Sequence, residues 1–344
     1  MPRRSVTAVV TATLVLSVLS GLSGPHAGAQ SYRALVFTKT AAFRHPSIDE
    51  AVAALQALAA ERGFEMVHTE DAAAFSDPNL AGFDVVVFLL TTGDVLDAAQ
   101  EAALQRFIRN GGGFAGVHAA ADTEHGWPWY ADLLGARFVT HPAPQAAVVR
   151  VEDRRHGSTG HLPASWGWVD EWYEFDRNPR RRVHVLATVS EATYDGGSMG
   201  SDHPVAWCHR FEGGRSWYTA LGHPEESYAD PAFRAHLAGG LAWAAGAAPG
   251  NCSPRSDREV LSIDADQDVL GGEVFADRRV CRRGRVIEIL RVRPGRDRAV
   301  GRARSNGRGE WRRGGFEGST AAFRAVAPAD RPCRKLRSGA VSAA

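Results

Sequence analysis

Two short apolar runs each stop at a histidine: Gly113-Phe114-Ala115-Gly116-Val117 before His118, and Trp217-Tyr218-Thr219-Ala220-Leu221-Gly222 before His223. Both have the length and apolar character of strands buried in a parallel sheet. The first follows an amphipathic stretch, Asp97 to Asn110, and a Gly111-Gly112-Gly113 turn, the punctuation of a crossover helix returning to the next parallel strand. In open α/β sheets ligands bind beyond the carboxyl ends of the strands. Both histidines therefore fall where an active site belongs.

The same alternation runs through the chain. Arg33 to Thr38, Phe64 to His68 and Asp84 to Thr91 read as strands, and Ser47-Ile48-Asp49-Glu50 reads as a capping box opening a helix that ends at Gly63. After Pro128, Trp- and His-rich connections lead to strand-like segments at Ala147 to Glu152, Val183 to Val189, Val205 to Phe211 and Ser216 to Leu221, then a closing helix from Pro231 to Ala245. The fold class is α/β: a flavodoxin- or amidotransferase-like parallel sheet with helices on both faces over residues 32–246. Residues 247–260 have linker composition. Residues 261–337 are short alternating stretches such as Val286 to Val292, separated by Gly, Asp and Arg turns, the pattern of a small all-β module. Residues 338–344 read as a disordered tail.

Composition and charge narrow the setting. Met1-Pro2-Arg3-Arg4, the apolar stretch Val6 to Leu22 and the small residues Ala27-Gly28-Ala29 make residues 1–29 a secretory signal peptide, so the mature chain is expected outside the cytoplasm. The four cysteines allow three pairings. Cys208 with Cys252 and Cys281 with Cys333 keeps each bridge inside one expected domain. The net charge is only +1, but from residue 257 onward there are 20 Lys plus Arg against 12 Asp plus Glu. An exported basic module with few interleaved aromatics argues against nucleic acid and leaves an anionic cell-wall polymer as its partner.

At the turn after the first run, Gly116-Val117-His118-Ala119-Ala120 puts an imidazole where a nucleophile elbow carries Ser or Cys. The frame is similar to class I glutamine amidotransferases, with His118 in the nucleophile slot, Ala120 in place of the elbow's second glycine, and His223-Pro224-Glu225 like their later His-Pro-Glu. No cysteine lies at the elbow, which sets aside glutaminase and cysteine-peptidase activity. A fuller set of segments occurs in order: Thr38-Lys39-Thr40-Ala41-Ala42-Phe43-Arg44-His45, Gly112 to Asp122, Trp129-Tyr130 with Leu134-Gly135, His141-Pro142, Asp170-Glu171-Trp172-Tyr173, Asp202-His203-Pro204-Val205-Ala206-Trp207 and Leu221-Gly222-His223. Together they resemble the ThuA-like, trehalose-utilisation family over roughly Tyr32 to Gly246. The resemblance implies an amidotransferase-like fold without the catalytic cysteine and the handling of a small carbohydrate, a disaccharide or its 3-keto derivative.

The expected site follows from these placements. His118 and His223 are the acid/base candidates and Glu171 joins them as catalytic, with Glu174 as its possible second carboxylate. Arg44, His45, Asp122, Trp129, Tyr173, His203 and Glu225 are expected to bind substrate, and Trp127, Trp129, Trp172 and Tyr173 to stack on sugar faces. No His-Glu-x-x-His or clustered-Cys spacing appears, and Gly111-Gly112-Gly113 lacks the Walker lysine, so no metal or cofactor is expected. Two rival readings share the frame: a non-catalytic carbohydrate-binding or cell-surface adaptor, and a hydrolase working through a metal-bound water.

Overall fold

The computed structural model describes residues 31–200, 202–254, 260–261, 264–266, 269–275, 281, 283–293, 296–306, 310–315, 321–329, 333 and 335–342. The expected signal peptide lies outside them. Among the described residues no helix is long and apolar enough to cross a membrane.

Strands β1 (Arg33–Phe37), β2 (Glu65–Thr69), β3 (Val85–Leu89) and β4 (Gly113–Val117) alternate with α1 (Ile48–Arg62), the short α2 (Asp77–Leu80) and α3 (Ala98–Arg109). They pair in parallel in the order β2-β1-β3-β4. Every residue of β3 and β4 is buried, as uninterrupted apolar runs require when both faces of a sheet are covered. Helix α3 starts on a complete capping box, Asp97 accepting from the amides of Ala99 and Gln100 while Gln100 caps back. The box expected at Ser47 does not form: its side chain makes no cap hydrogen bond, and Ser47 is fully buried at the start of α1.

The second half comprises α4 (Pro128–Leu134), β5 (Phe138–Thr140), β6 (Gln145–Val151), β7 (Ser165–Asp170), β8 (Glu174–Phe175), β9 (His184–Val189), β10 (His203–Phe211), β11 (Gly214–Thr219) and α5 (Pro231–Ala244). Strand β11 adds in parallel to β4, and the nine-stranded sheet continues β10-β9-β6-β7, each pair antiparallel. The parallel sheet of the sequence reading is therefore one half of a mixed sheet. The reversal comes at Glu212-Gly213, both at positive φ (45° and 103°), the geometry of a two-residue hairpin turn. Because directions alternate from β11 outward, β7 runs the same way as β4. Its end, like the starts of β6 and β10, lies at the carboxyl edge of the parallel half.

The C-terminal region is all-β, as expected: β12 (Val260–Leu261), β13 (Asp264–Asp266), β14 (Val269–Phe275), β15 (Val286–Arg291), β16 (Arg298–Arg304), β17 (Glu310–Gly314), β18 (Ala322–Ala327) and β19 (Leu336–Ser342) make two four-stranded antiparallel sheets. Its core is small and separate, including Leu270, Val274, Ile287, Ile289, Trp311 and Phe323. Residues 338–342, expected as a disordered tail, instead complete β19. Their small and polar side chains carry little strand signal, and backbone pairing with β18 holds them. The expected linker is also tied down, because Cys252 is buried and bonded to Cys208. Cys281 is bonded to Cys333, so both favoured bridges form.

Candidate functional site

Strands β4 and β11 are adjacent and parallel, with Val117 opposite Thr219, so the segments that follow them leave the sheet side by side. His118 and His223 meet there, ring centroids 5.3 Å apart. The backbone of His118 sits at φ 49°, the left-handed region that a non-glycine residue enters at a cost of about 1–2 kcal/mol and that functional turns tolerate. Two bonds to the neighbouring strand hold it: the Tyr218 hydroxyl donates to the His118 carbonyl (2.9 Å), and His118 Nδ1 donates to the Ala220 carbonyl (2.7 Å). The loop after β1 brings in His45, 5.1 Å from the His118 ring and 5.4 Å from that of His223.

Glu171 arrives from the end of β7. Its Oε2 lies 3.4 Å from His118 Nε2 and 3.2 Å from His223 Nδ1, and its Oε1 lies 3.0 Å from Nδ1 of His141, which precedes β6. Asp170 fixes this arrangement from beneath. Fully buried, it accepts from the amides of Glu171, Gly222 and His223 and from the Trp168 indole, tying the Glu171 loop to the His223 loop. Gly222, at φ 111°, is required there: a Cβ would lie 2.8 Å from the Tyr228 hydroxyl.

Electrostatics follow from the packing. Burial alone would raise the Glu171 carboxyl, but His118 and His223 beside it outweigh that and hold it well below the usual carboxylate range. Burial, with the neighbouring imidazoles of His118 and His223 adding to it, lowers His45 to about 3. The Glu171 carboxylate raises His223 against a smaller opposing effect of burial. Burial raises Asp170, and the nearby His118 imidazole, with the N–H donors of Gly222, Trp168 and His223, acts against that shift.

Four of the expected site residues, His45, His118, Glu171 and His223, thus come together. The others stand apart. Tyr173 packs its ring 4.2 Å from that of His118 but is 2% exposed, so it floors the site and cannot stack on a sugar. Trp127 and Trp172 are likewise buried. Trp129 donates to Glu212 at the β10–β11 turn, the opposite end of the sheet, because α4 carries it back along β11. Arg44 pairs with Glu70 (2.9 Å) in an exposed ion pair, and Asp122 contacts His125 (2.7 Å). Glu225 is exposed at the start of a short turn, Glu225–Ala229. His203 and Glu174 belong to a second cluster with Glu191 and Tyr194. Sequence reasoning passed over His141, Asp170 and Phe43, the last 62% exposed with its ring edge-on to His45. All three lie in the quoted segments, but nothing local separates His141-Pro142 from a structural turn.

Among the described residues, three groups bring potential metal donors within 4.8 Å of one another: His45 with His118, Glu171 and His223; Glu174 with Glu191 and His203; and His156 with Cys208 and Cys252, whose sulfurs are spent on the disulfide.

Residues 33–244 match the family model described as ThuA, trehalose utilisation. A ThuA-like protein of Bacteroides uniformis is 26% identical, the alignment covering 65% of this chain and 95% of that one, with a TM-score of 0.56. A ThuA-like protein of Parabacteroides merdae shares the fold at 19% identity, covering 66% and 94%, with a TM-score of 0.54. Among curated proteins no relative matches.

Proposed function

The chain belongs to the ThuA trehalose-utilisation family, and from that premise we propose that it is an exported enzyme of sugar catabolism acting on a disaccharide or its 3-keto derivative at the His45–His118–Glu171–His223 array. One observation carries the reading. Four segments far apart in sequence deliver three imidazoles and one ionised carboxylate to a single point at the carboxyl edge of the sheet, where α/β folds bind ligands. A 3-keto group acidifies the neighbouring C–H, and moving that proton calls for a positioned, unprotonated base. Glu171 reaches three imidazoles. His141, the most exposed of them with 38% of its side chain accessible, links the array to solvent through Glu171 Oε1. Phe43 offers an exposed aromatic face beside His45 for the apolar face of a sugar ring. The N-terminal sequence and two disulfides support export. The arginine excess of the β module supports an anionic cell-surface polymer as its partner.

The test is to incubate the mature protein with a panel of disaccharides and their 3-keto forms and to read products by mass spectrometry. Turnover that is lost in His118→Ala and Glu171→Gln is the expected result. Saturable binding without turnover of any member would make the chain an adaptor.

A further inference from the structure

We propose that His45, His118, Glu171 and His223 bind one divalent transition-metal ion, with zinc the best fit to the donor set. The site is the one assigned above to sugar chemistry; the ion's role rests on that reading, and its geometry does not.

The imidazole nitrogens carry the first part of the case. His45 Nδ1, His118 Nε2 and His223 Nδ1 are all buried and have no hydrogen-bond partner. A buried polar atom left unpaired costs about 1–3 kcal/mol, so three around one carboxylate amount to a large unexplained cost unless a ligand satisfies them. His118 is set up as a metal ligand: its Nδ1–H is committed to the Ala220 carbonyl, which leaves the Nε2 lone pair facing Glu171.

The distances carry the second part. The 3.4 Å and 3.2 Å from Glu171 Oε2 to His118 Nε2 and His223 Nδ1 are too long for charge-assisted hydrogen bonds, which run about 2.7–2.9 Å. They match the edge of a tetrahedron with metal–ligand bonds of about 2.1 Å, which is ~3.4 Å. The same bond length puts the imidazole centroids ~3.2 Å from the ion and ~5.2 Å from one another. The three rings stand 5.1, 5.3 and 5.4 Å apart. Three nitrogens and one carboxylate suit zinc and its neighbours, whereas calcium and magnesium call for oxygen cages. His45 and His118 close the inner side of the site. His223, with 24% of its side chain accessible, leaves the outer side open to a sugar carbonyl or hydroxyl as a fifth ligand. With the ion in place His141 remains free to exchange protons through Glu171 Oε1.

The mature protein, purified without chelator and loaded with zinc or cobalt, should hold one ion per chain by elemental analysis, and the cobalt form should show the strong visible bands of a tetrahedral site. His45→Ala and His223→Ala should each abolish stoichiometric binding and the bands while retaining a cooperative thermal transition. Glu191→Gln in the second cluster should keep both. Wild-type protein that takes up neither metal would overturn the proposal, as would binding lost in Glu191→Gln but kept in His223→Ala. Metal bound without sugar turnover would sink the functional reading alone. Sugar turnover by wild-type protein that cannot be loaded would sink the metal alone.

Discussion

Two clusters of buried histidine and carboxylate lie back to back across Tyr173, whose ring packs on His118 and whose carbonyl accepts from His203 Nε2 (2.9 Å). The first gathers three histidines about one glutamate, and the second gathers one histidine, two glutamates and a tyrosine. In the His203 cluster every group is used: Nδ1 is shared by Glu191 (2.9 Å) and Tyr194 (3.1 Å), Glu191 also accepts the amides of Met199 and Gly200, and Glu174 accepts from Ser198. In the His118 cluster three nitrogens have no partner. Buried histidine beside carboxylate is common to the fastener and the proposed site; the unfilled bonding capacity of one cluster is what separates them.

The widest separation between the two should be in turnover. His118→Ala and Glu171→Gln are expected to lower kcat/KM on the order of 10³-fold or more, within the range for a positioned proton-transfer group, with a modest effect on Tm. A comparable loss in His203→Ala protein that remains folded would erase the distinction. In stability the order reverses. His203→Ala leaves Glu191 and the Tyr173 carbonyl short of partners and should cost about 2–4 kcal/mol in urea melts, while turnover of the folded fraction changes only a few-fold. A stability equal to wild type would show that the second cluster fastens nothing.

Acid should act first through histidines that burial keeps neutral, and His45 of the His118 cluster, lowered to about 3, is one of them. Burial lowers His236 to about 3 and His156 to about 4, so both stay neutral in the fold while their unfolded counterparts titrate near 6.5. The unfolded state then binds more protons below that pH. The stability these groups contribute is present above 6.5 and declines as pH falls toward their folded values, by up to about 1.4 kcal/mol per pH unit for each group. Chemical denaturation at pH 7 and pH 5 reads this directly, and equal stabilities at the two would refute it. The smallest effects belong to residues that the fold leaves outside the array. Arg44→Ala and Glu225→Gln should change kcat/KM less than about three-fold, since the exposed Arg44–Glu70 pair is worth ~0–1 kcal/mol and Glu225 is exposed outside the array. A loss as deep as that of His118→Ala would put the working site nearer the rim.

Much of this is legible in the amino-acid sequence. The apolar runs ending at His118 and His223 carried the parallel half of the sheet and its edge, because buried strands announce themselves by composition. The antiparallel half was harder to read. Ser165–Asp170 mixes Trp, Gly and Val without clean alternation, and its direction depends on a turn at Glu212-Gly213 far along the chain. With β7 unplaced, nothing showed that Asp170 would brace His223 or that His141 would reach Glu171. Trp129 and Tyr173 look like sugar-stacking residues in sequence, yet whether an aromatic faces solvent or the core is settled only by packing.

The most direct measurement is a nitrogen-detected NMR titration of the imidazoles with a 3-keto disaccharide. Signals of His45, His118, His141 and His223 should shift together along one saturation curve while those of His184, His203, His209 and His236 stay still. Shifts centred on His203, or none at the His118 array under saturating ligand, would contradict the account.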